Sequence, residues 1–318
     1  MRILLVKTSS LGDVIHNLPV AADLARQFPG AEIDWCVEAP FADIPRLSPF
    51  VRATLPVAIR RWRKALLKTE TWREIGQLRA QLQSAGYDAV LDTQGLIKSA
   101  LVARQAKGKH LGYAADSARE PLASRFYDAT LSVPRHLHAV ARNRLLAGAA
   151  FGYTPAETLD YGIVAPAFSA SWLPATPIAV LLTATSRDDK LWPEPDWIEL
   201  ANQLIKWGLT PIFPSGNAVE QARARRIVQA VPGAVAAPAL SIHDLAGVIG
   251  QAALTVGVDT GLAHLAAALK VPTIALYTAT EPALTGIVGT GFARNLGGKG
   301  APPTVADVLA SATEALQR

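Results

Sequence analysis

The sequence predicts an α/β chain built from two doubly wound αβα domains. Short apolar runs rich in β-branched residues alternate with longer helical patterns, and the scheme runs through the first half and again through the second. Between the halves lies an uncharged stretch rich in Pro, Ala and Ser, APAFSASWLPATP (165–177), which reads as a linker. Continuous apolar strands between amphipathic helices are what a parallel sheet covered on both faces requires. At 318 residues each half is long enough to bury its own core, giving an N-terminal domain 1–166 and a C-terminal domain 167–318.

In chain order, RILLV (2–6) is the first expected strand, followed by a helix over 14–28. Strands at 32–37, 53–57, 89–92 and 110–113 alternate with helical patterns at 71–84, 97–105 and 138–149. In the second half the strands are PIAVLLT (177–183), TPIF (210–213), LTVGV (254–258) and TIALY (273–277). Helices are expected to begin near Pro195, Ala218, Ile242 and Gly261. Two such domains joined by a hinge bind ligands at the carboxyl ends of their strands. No G-x-G-x-x-G follows the first strand, which argues against a dinucleotide-dependent dehydrogenase.

Composition narrows the class. Half of the residues are hydrophobic, which excludes a disordered chain. The net charge of +5 is a mild excess that suits an anionic substrate or membrane surface without singling out either. A single Cys36 allows no intramolecular disulfide and no cysteine metal cluster, and points to a reducing compartment. The apolar core of MRILLVKTSS is only four residues long, so it is not read as a signal peptide. No apolar run approaches the roughly 18 to 20 residues of a membrane span. A cytoplasmic protein, soluble or peripheral, is expected.

Five segments carry candidate chemistry. After the first strand comes KTSSLGDVIHNLP, with Lys7 and Asp13 in a strand-to-helix turn. Asp13 is there either a helix cap or a catalytic carboxylate. In VGVDTGLAHLAAAL, Asp259, Thr260 and Gly261 open a helix, with His264 three residues on. Asp or Thr is the ordinary cap at such a place, but glycine clears room for a ligand, and free amides at a helix start favour phosphate. TATSRDDKLWP sets Thr185, Ser186 and Lys190 at a strand's carboxyl end, groups suited to a diphosphate unless this is a plain polar loop. Its neighbouring Asp188 and Asp189, beside a lysine, form a poor cation cage, so no metal is expected.

The fourth segment, AIRRWRKALLK, gathers Arg60, Arg61, Arg63, Lys64 and Lys68 around Trp62. It reads as a solvated helix face or as a patch for a polyanionic substrate or acidic lipid. No nucleic-acid-binding motif accompanies it, so nucleic acid is not an expected partner. Gln94 and Lys98 lie at the next strand-to-helix junction, and Arg119, Glu120 and Arg125 in the loop DSAREPLASRFYD.

In order and spacing, KTSSLGDVIHNLP, PVAIRRWRKA, YDAVLDTQGLIKSA, AREPLASRFY, TATSRDDKLWPE and VDTGLAHLAAAL resemble the lipopolysaccharide heptosyltransferases along nearly the whole chain. The RRWRK and REPLAS stretches resemble the member acting first on the inner core, not the one acting second. The resemblance implies a GT-B fold, two Rossmann-like domains facing a cleft, with the acceptor in the first half and the nucleotide sugar in the second. It implies transfer of L-glycero-D-manno-heptose from ADP-heptose to the first Kdo of Kdo2-lipid A, with inversion and no cofactor, at the cytoplasmic face of the inner membrane. It assigns Asp13 as general base and Arg60, Arg61, Arg63, Lys64 and Arg119 to the acceptor side, where Gln94 and Lys98 also fall unless they are plain connection. Lys7 either holds Asp13 ionised or meets an acceptor carboxylate. Thr185, Ser186, Lys190, Glu220, Leu240, Asp259, Thr260, Gly261 and His264 fall to the donor, with Glu220 toward the ribose and Leu240 beside the adenine. Thr185-Ser186 stands where relatives have two threonines, and Leu240 where a relative has methionine. The bottom-up chemistry agrees, since inversion needs one base and electrostatic help for the departing diphosphate. Competing readings are another GT-B transferase or a nucleotide-sugar epimerase, and, outside enzymes, a polyanion-binding protein using 60–64.

Overall fold

The computed structural model describes residues 1–317. The chain divides into two compact units, Met1–Gly162 and from Ile163 onward. In the first, six strands form one parallel sheet: β1 (Arg2–Val6), β2 (Glu32–Glu38), β3 (Val51–Val57), β4 (Ala89–Asp92), β5 (Lys109–Tyr113) and β6 (Ala129–Leu131). Their spatial order is β3-β2-β1-β4-β5-β6. Ile3 sits between Ile33 and Ala89, so RILLV is the sheet's centre, and Ile3 through Val6 are fully buried.

Seven helices accompany this sheet: α1 (Leu11–Ile15), α2 (Leu18–Gln27), α3 (Asp43–Arg46), α4 (Ile59–Trp62), α5 (Thr69–Ala85), α6 (Ile97–Ala103) and α7 (Ala139–Phe151). The single helix expected over 14–28 is two. The first turns out at His16, and the second starts from Asn17 with Pro19 in its first turn, where a missing N–H costs nothing. That break leaves Asp13 on a helix of its own directly behind β1.

The second unit repeats the plan with β7 (Ile178–Leu182), β8 (Thr210–Phe213), β9 (Val235–Ala236), β10 (Leu254–Val258), β11 (Thr273–Tyr277) and β12 (Ala293–Gly297). All neighbours are parallel, in the order β12-β11-β10-β7-β8-β9. Its helices are α8 (Glu194–Lys206), α9 (Ala218–Gln229), α10 (Ile242–Ile249), α11 (Gly261–Ala268) and α12 (Val305–Leu316). A buried cluster including Leu181, Val256, Ile274 and Phe213 holds helices to sheet, and Trp192 meets Trp197 edge-on with centroids 5.1 Å apart.

Three strands escaped the sequence reading: β6 (ATL), β9 (VA) and β12 (ARNLG). All are edge strands, too short or too polar to show an apolar run. The expected boundary lies at 166/167 and the expected linker at 165–177. The two units part after Gly162, and residues 165–168 pack on α10. A β-carbon on Gly250 would lie 2.2 Å from the Ala165 side chain, and one on Gly247 2.6 Å from that of Phe168.

In each unit the strand order reverses beside the central strand, between β1 and β4 in one and β7 and β10 in the other. Loops leaving such a pair diverge and open a crevice at the carboxyl ends. The Lys7–Asp13 and Thr93–Lys98 loops flank the first crevice, and Thr183–Lys190 and Asp259–Gly261 the second.

Candidate functional site

In the first unit Asp13 serves two structural partners at once. Its Oδ2 accepts the Ser10 amide at 3.0 Å, which is the capping role. Arg119, from the loop after β5, places Nη2 2.6 Å from Oδ1 and Nη1 3.3 Å from Oδ2. Burial by itself raises the pKa of this carboxyl. The charges of Lys7 and Arg119, with the hydrogen bonds from Arg119 and Ser10, outweigh it and bring it down to about 2. Arg119, expected on the acceptor side, is thus bound to the carboxylate that it flanks.

Lys7 is 4% exposed, and its Nζ donates to the Thr93 carbonyl at 2.7 Å and to Asn143 Oδ1 at 3.3 Å. Burial, opposed in part by the charge of Asp13, lowers its pKa from 10.5 to about 8. Lys7 therefore holds Asp13 ionised through space while its own hydrogen bonds go elsewhere.

Gln94, expected on the acceptor side, is held by the protein itself. It is buried, and its side chain is taken up by the turn after β1. Oε1 accepts from Thr8 N (2.7 Å), Thr8 Oγ1 (3.1 Å) and Ser9 N (3.2 Å), and Nε2 donates to the Ser9 carbonyl. It positions the chain leading to Asp13. Behind it, buried Asp92 accepts from the Gln94 and Gly95 amides, Ser99 Oγ and Tyr127 Oη. Burial raises the Asp92 pKa against those hydrogen bonds. Gly95 adopts φ +68°, and a β-carbon there would press on Tyr113 and Ala118 at 3.2 and 3.4 Å. Lys98 reaches Ser9 Oγ at 3.4 Å.

Tyr113, Arg142 and Asn143 were missed in the sequence. With Lys7, Gln94 and Arg119 they line a small cavity beside Asp13. Arg142 lies over the Tyr113 ring at 5.1 Å and donates to the Ser117 carbonyl. Arg142 and Asn143 sit on α7, whose sequence reads simply as a helix.

The basic run folds as α4 and the turn after it, at the carboxyl end of β3. Its residues do not act alike. The Arg60 guanidinium lies over Phe41 at 5.9 Å. Arg61 forms a two-point pair with Glu74 at 2.7 and 3.1 Å. Arg63 and Lys64 are exposed. Trp62, at the centre of the run, is buried and donates Nε1 to Glu74 at 2.6 Å.

In the second unit Asp259 is the hub. Lys190 Nζ is 2.7 Å from Oδ2, Thr280 Oγ1 donates to the same oxygen at 2.6 Å, and Thr185 Oγ1 donates to the Asp259 carbonyl at 2.8 Å. Loops after β7, β10 and β11 are thereby tied together, and Thr280 is a member that the sequence did not reveal. Thr260 stands at the N-cap position of α11 without a side-chain capping hydrogen bond, Gly261 is the first helical residue, and His264 is buried within that helix. Ser186 is exposed.

A cavity of about 830 Å³ adjoins, lined by Thr185, Asp188, Leu191, Asn217, Glu220, Arg223 and Arg226 among others. Glu220 accepts the Gly216 amide at 2.6 Å and the Asn217 side-chain amide at 2.7 Å, while its own N–H donates to Asn217 Oδ1 at 3.0 Å. It is a cap of α9 and a wall of the cavity at once. Leu240 is half-buried before α10 and lies outside that lining. Asp189 pairs with Arg187. Among the described residues, no three His, Cys, Asp or Glu side chains gather into a metal-holding group. Nor is any helix there long and apolar enough to cross a membrane.

Comparison with known proteins supplies the family. Residues 75–303 match the model of glycosyltransferase family 9 (heptosyltransferase). Lipopolysaccharide heptosyltransferase 1 of Pseudomonas aeruginosa is 46% identical over 291 residues, covering 91% of this chain and 82% of that one. The E. coli heptosyltransferase WaaC solved with ADP superposes with TM-score 0.91 at 39% identity, over 99% of this chain and all of the other. The same E. coli enzyme with ADP-2-deoxy-2-fluoro heptose gives 0.87 at 40% identity, covering 99% and 98%. With two six-stranded parallel sheets of this order, the fold is the α/β, GT-B type. The chain belongs to glycosyltransferase family 9, the heptosyltransferases.

Proposed function

We propose that the protein transfers L-glycero-D-manno-heptose from ADP-heptose to the first Kdo of Kdo2-lipid A, inverting the anomeric centre, in assembly of the lipopolysaccharide inner core. The observation that carries the reading is the pair of strand-end clusters, a carboxylate among cations at Asp13 and a lysine held by Asp259 beside the large cavity. ADP and an ADP-heptose analogue are what two of the superposing structures hold.

On this reading Lys190 and the amides opening α11 meet the diphosphate, His264 supports that helix start, and Thr185 and Ser186 hydrogen-bond phosphate oxygens. Glu220 takes the ribose, and Leu240 the adenine edge. Asp13 removes the proton from the acceptor hydroxyl as the C–O bond forms on the face opposite the departing ADP. Inversion needs no covalent intermediate and so no second carboxylate. A carboxylate held at about 2 by Lys7 and Arg119 is a weak base, so acceptor binding is required to draw Arg119 toward an acceptor anion and free Asp13. Arg60, Arg61, Arg63, Lys64 and Lys98 complete the field for an acceptor with several negative charges. An acceptor embedded in lipid places the protein on the cytoplasmic face of the inner membrane.

The deciding experiment incubates the protein with ADP-heptose and deacylated Kdo2-lipid A and measures product mass. A product one heptose heavier supports the proposal. Equal turnover of UDP- or GDP-sugars, or a changed sugar nucleotide with no acceptor product, points to another transferase or an epimerase.

A further inference from the structure

The turn joining α4 to α5 exposes hydrocarbon that a water-soluble surface ordinarily hides. Leu66 is 52% exposed, Leu67 101% and Trp72 60%. Single exposed leucines are common, but two in succession beside an indole form a patch with a use.

This turn is built and not loose. Trp72 donates Nε1 to the Leu66 carbonyl at 2.8 Å, and Thr71 donates its hydroxyl to the Ala65 carbonyl at 2.8 Å. On its near side Glu74 holds both Arg61 and Trp62. The apolar tip is therefore presented by hydrogen bonds that fix its backbone outward. Arg63, Lys64, Lys68 and Arg73 surround it, all exposed. Glu74 is spent on Arg61 and Trp62, which leaves Glu70 as the one other acid from 58 to 74.

An apolar tip with an amphipathic indole, ringed by long cationic side chains, is the composition of an interfacial anchor. The positive ring complements the anionic surface of a bilayer. We propose that residues 63–73 are a membrane-docking turn. Leu66, Leu67 and Trp72 enter the boundary between headgroups and acyl chains of an anionic bilayer, while Lys68, Arg73 and their neighbours meet lipid phosphates. The proposal deepens the reading of a lipid-borne acceptor, yet the contact itself needs no acceptor lipid.

The test uses the full chain with vesicles of phosphatidylethanolamine and phosphatidylglycerol, free of any acceptor glycolipid, against phosphatidylcholine vesicles. Co-sedimentation is expected with the anionic vesicles alone and is weakened by salt. Leu67→Asp, and separately Leu66→Ser with Trp72→Ser, should each lower vesicle partitioning roughly tenfold or more, and Leu67→Phe should preserve it. Transfer to the soluble deacylated acceptor should stay unchanged in all of them, which also reports intact folding. Undiminished vesicle binding by Leu67→Asp overturns the proposal. So does a parallel loss of transfer to the soluble acceptor, which would put the turn in the acceptor site. Self-association of the chain through this patch, abolished by Leu67→Asp, with no lipid binding, would replace the bilayer by a second copy. Vesicle binding without heptose transfer would leave the docking turn standing and remove the proposed activity.

Discussion

Arg119 grips Asp13 with two nitrogens, Nη2 to Oδ1 at 2.6 Å and Nη1 to Oδ2 at 3.3 Å, across 106 positions of sequence. Together with the charge of Lys7, the pair holds a carboxylate ionised far below neutrality. Replacing Asp13 by Ala or Asn should lower kcat by about 10²- to 10⁴-fold and leave the ADP-heptose Kd within a few-fold. Isothermal titration beside a rate assay checks both, and loss of donor binding would remove Asp13 from the role of base. In Arg119→Gln the Asp13 pKa should move up. The acid limb of kcat/KM, which Asp13 with its pKa of about 2 does not set near neutrality in the native protein, should then shift to higher pH.

Lys7 sets the other limb. Its pKa near 8 means that its charge fades as pH rises through 8, while Asp13 stays ionised. Activity should fall on the alkaline side with an apparent pKa of about 8, and Lys7→Arg should move that limb upward, since guanidinium keeps its proton. Stability runs the opposite way. Between about 8 and 10.5 the unfolded chain binds the Lys7 proton more readily than the folded one, so the cost of burying this ammonium is relieved as pH rises through that window. Thermal melts of native and Lys7→Met protein across this range test the sign.

Gln94 is the clamp on the turn that carries Asp13. Removing its side chain strands the buried Thr8 and Ser9 amides, at roughly 1–3 kcal/mol for each unsatisfied group. Gln94→Ala should lower the Tm and reduce kcat with donor affinity unaltered. A loss confined to acceptor KM would instead make Gln94 an acceptor contact.

In the second unit Lys190 and Asp259 neutralise one another at 2.7 Å. Lys190→Ala should weaken ADP binding by roughly 10- to 150-fold, the range for a hydrogen bond to a charged group. Part of that is repulsion from the unpaired Asp259. Adding Asp259→Asn should recover some affinity, and a double-mutant cycle measures the coupling. Strict additivity would mean that the two act on the nucleotide independently.

What the sequence made legible was local. RILLV, AVLD, IAVLL and LTVGV announced themselves as buried parallel strands, and the residues at their carboxyl ends followed. Long-range pairing was not legible. Arg119 on Asp13 joins two loops through tertiary structure, and Gln94 on Thr8 and Ser9 does the same. No spacing rule encodes such contacts, so both residues read as open acceptor ligands. Arg142 and Asn143 were hidden because a helix face pointing into a small polar cavity looks like any partly polar helix. Trp62 misled for a related reason. An indole among arginines suggests an interface, but Glu74, twelve residues on, pulls it inward, and the indole left outside is Trp72. The edge strands β6, β9 and β12 were invisible because they are short or polar and need no apolar run, whereas the edge strand β3 carries one.

The grip of Arg119 on Asp13 has a further consequence for the resting protein. A carboxylate already satisfied by a guanidinium has little tendency to take a proton from water. On the proposed reading, Asp13 would stay a muted base toward water until an acceptor anion drew the arginine away. The same contact that weakens the base would then make it answer to the right partner, a form of fidelity built from one ion pair.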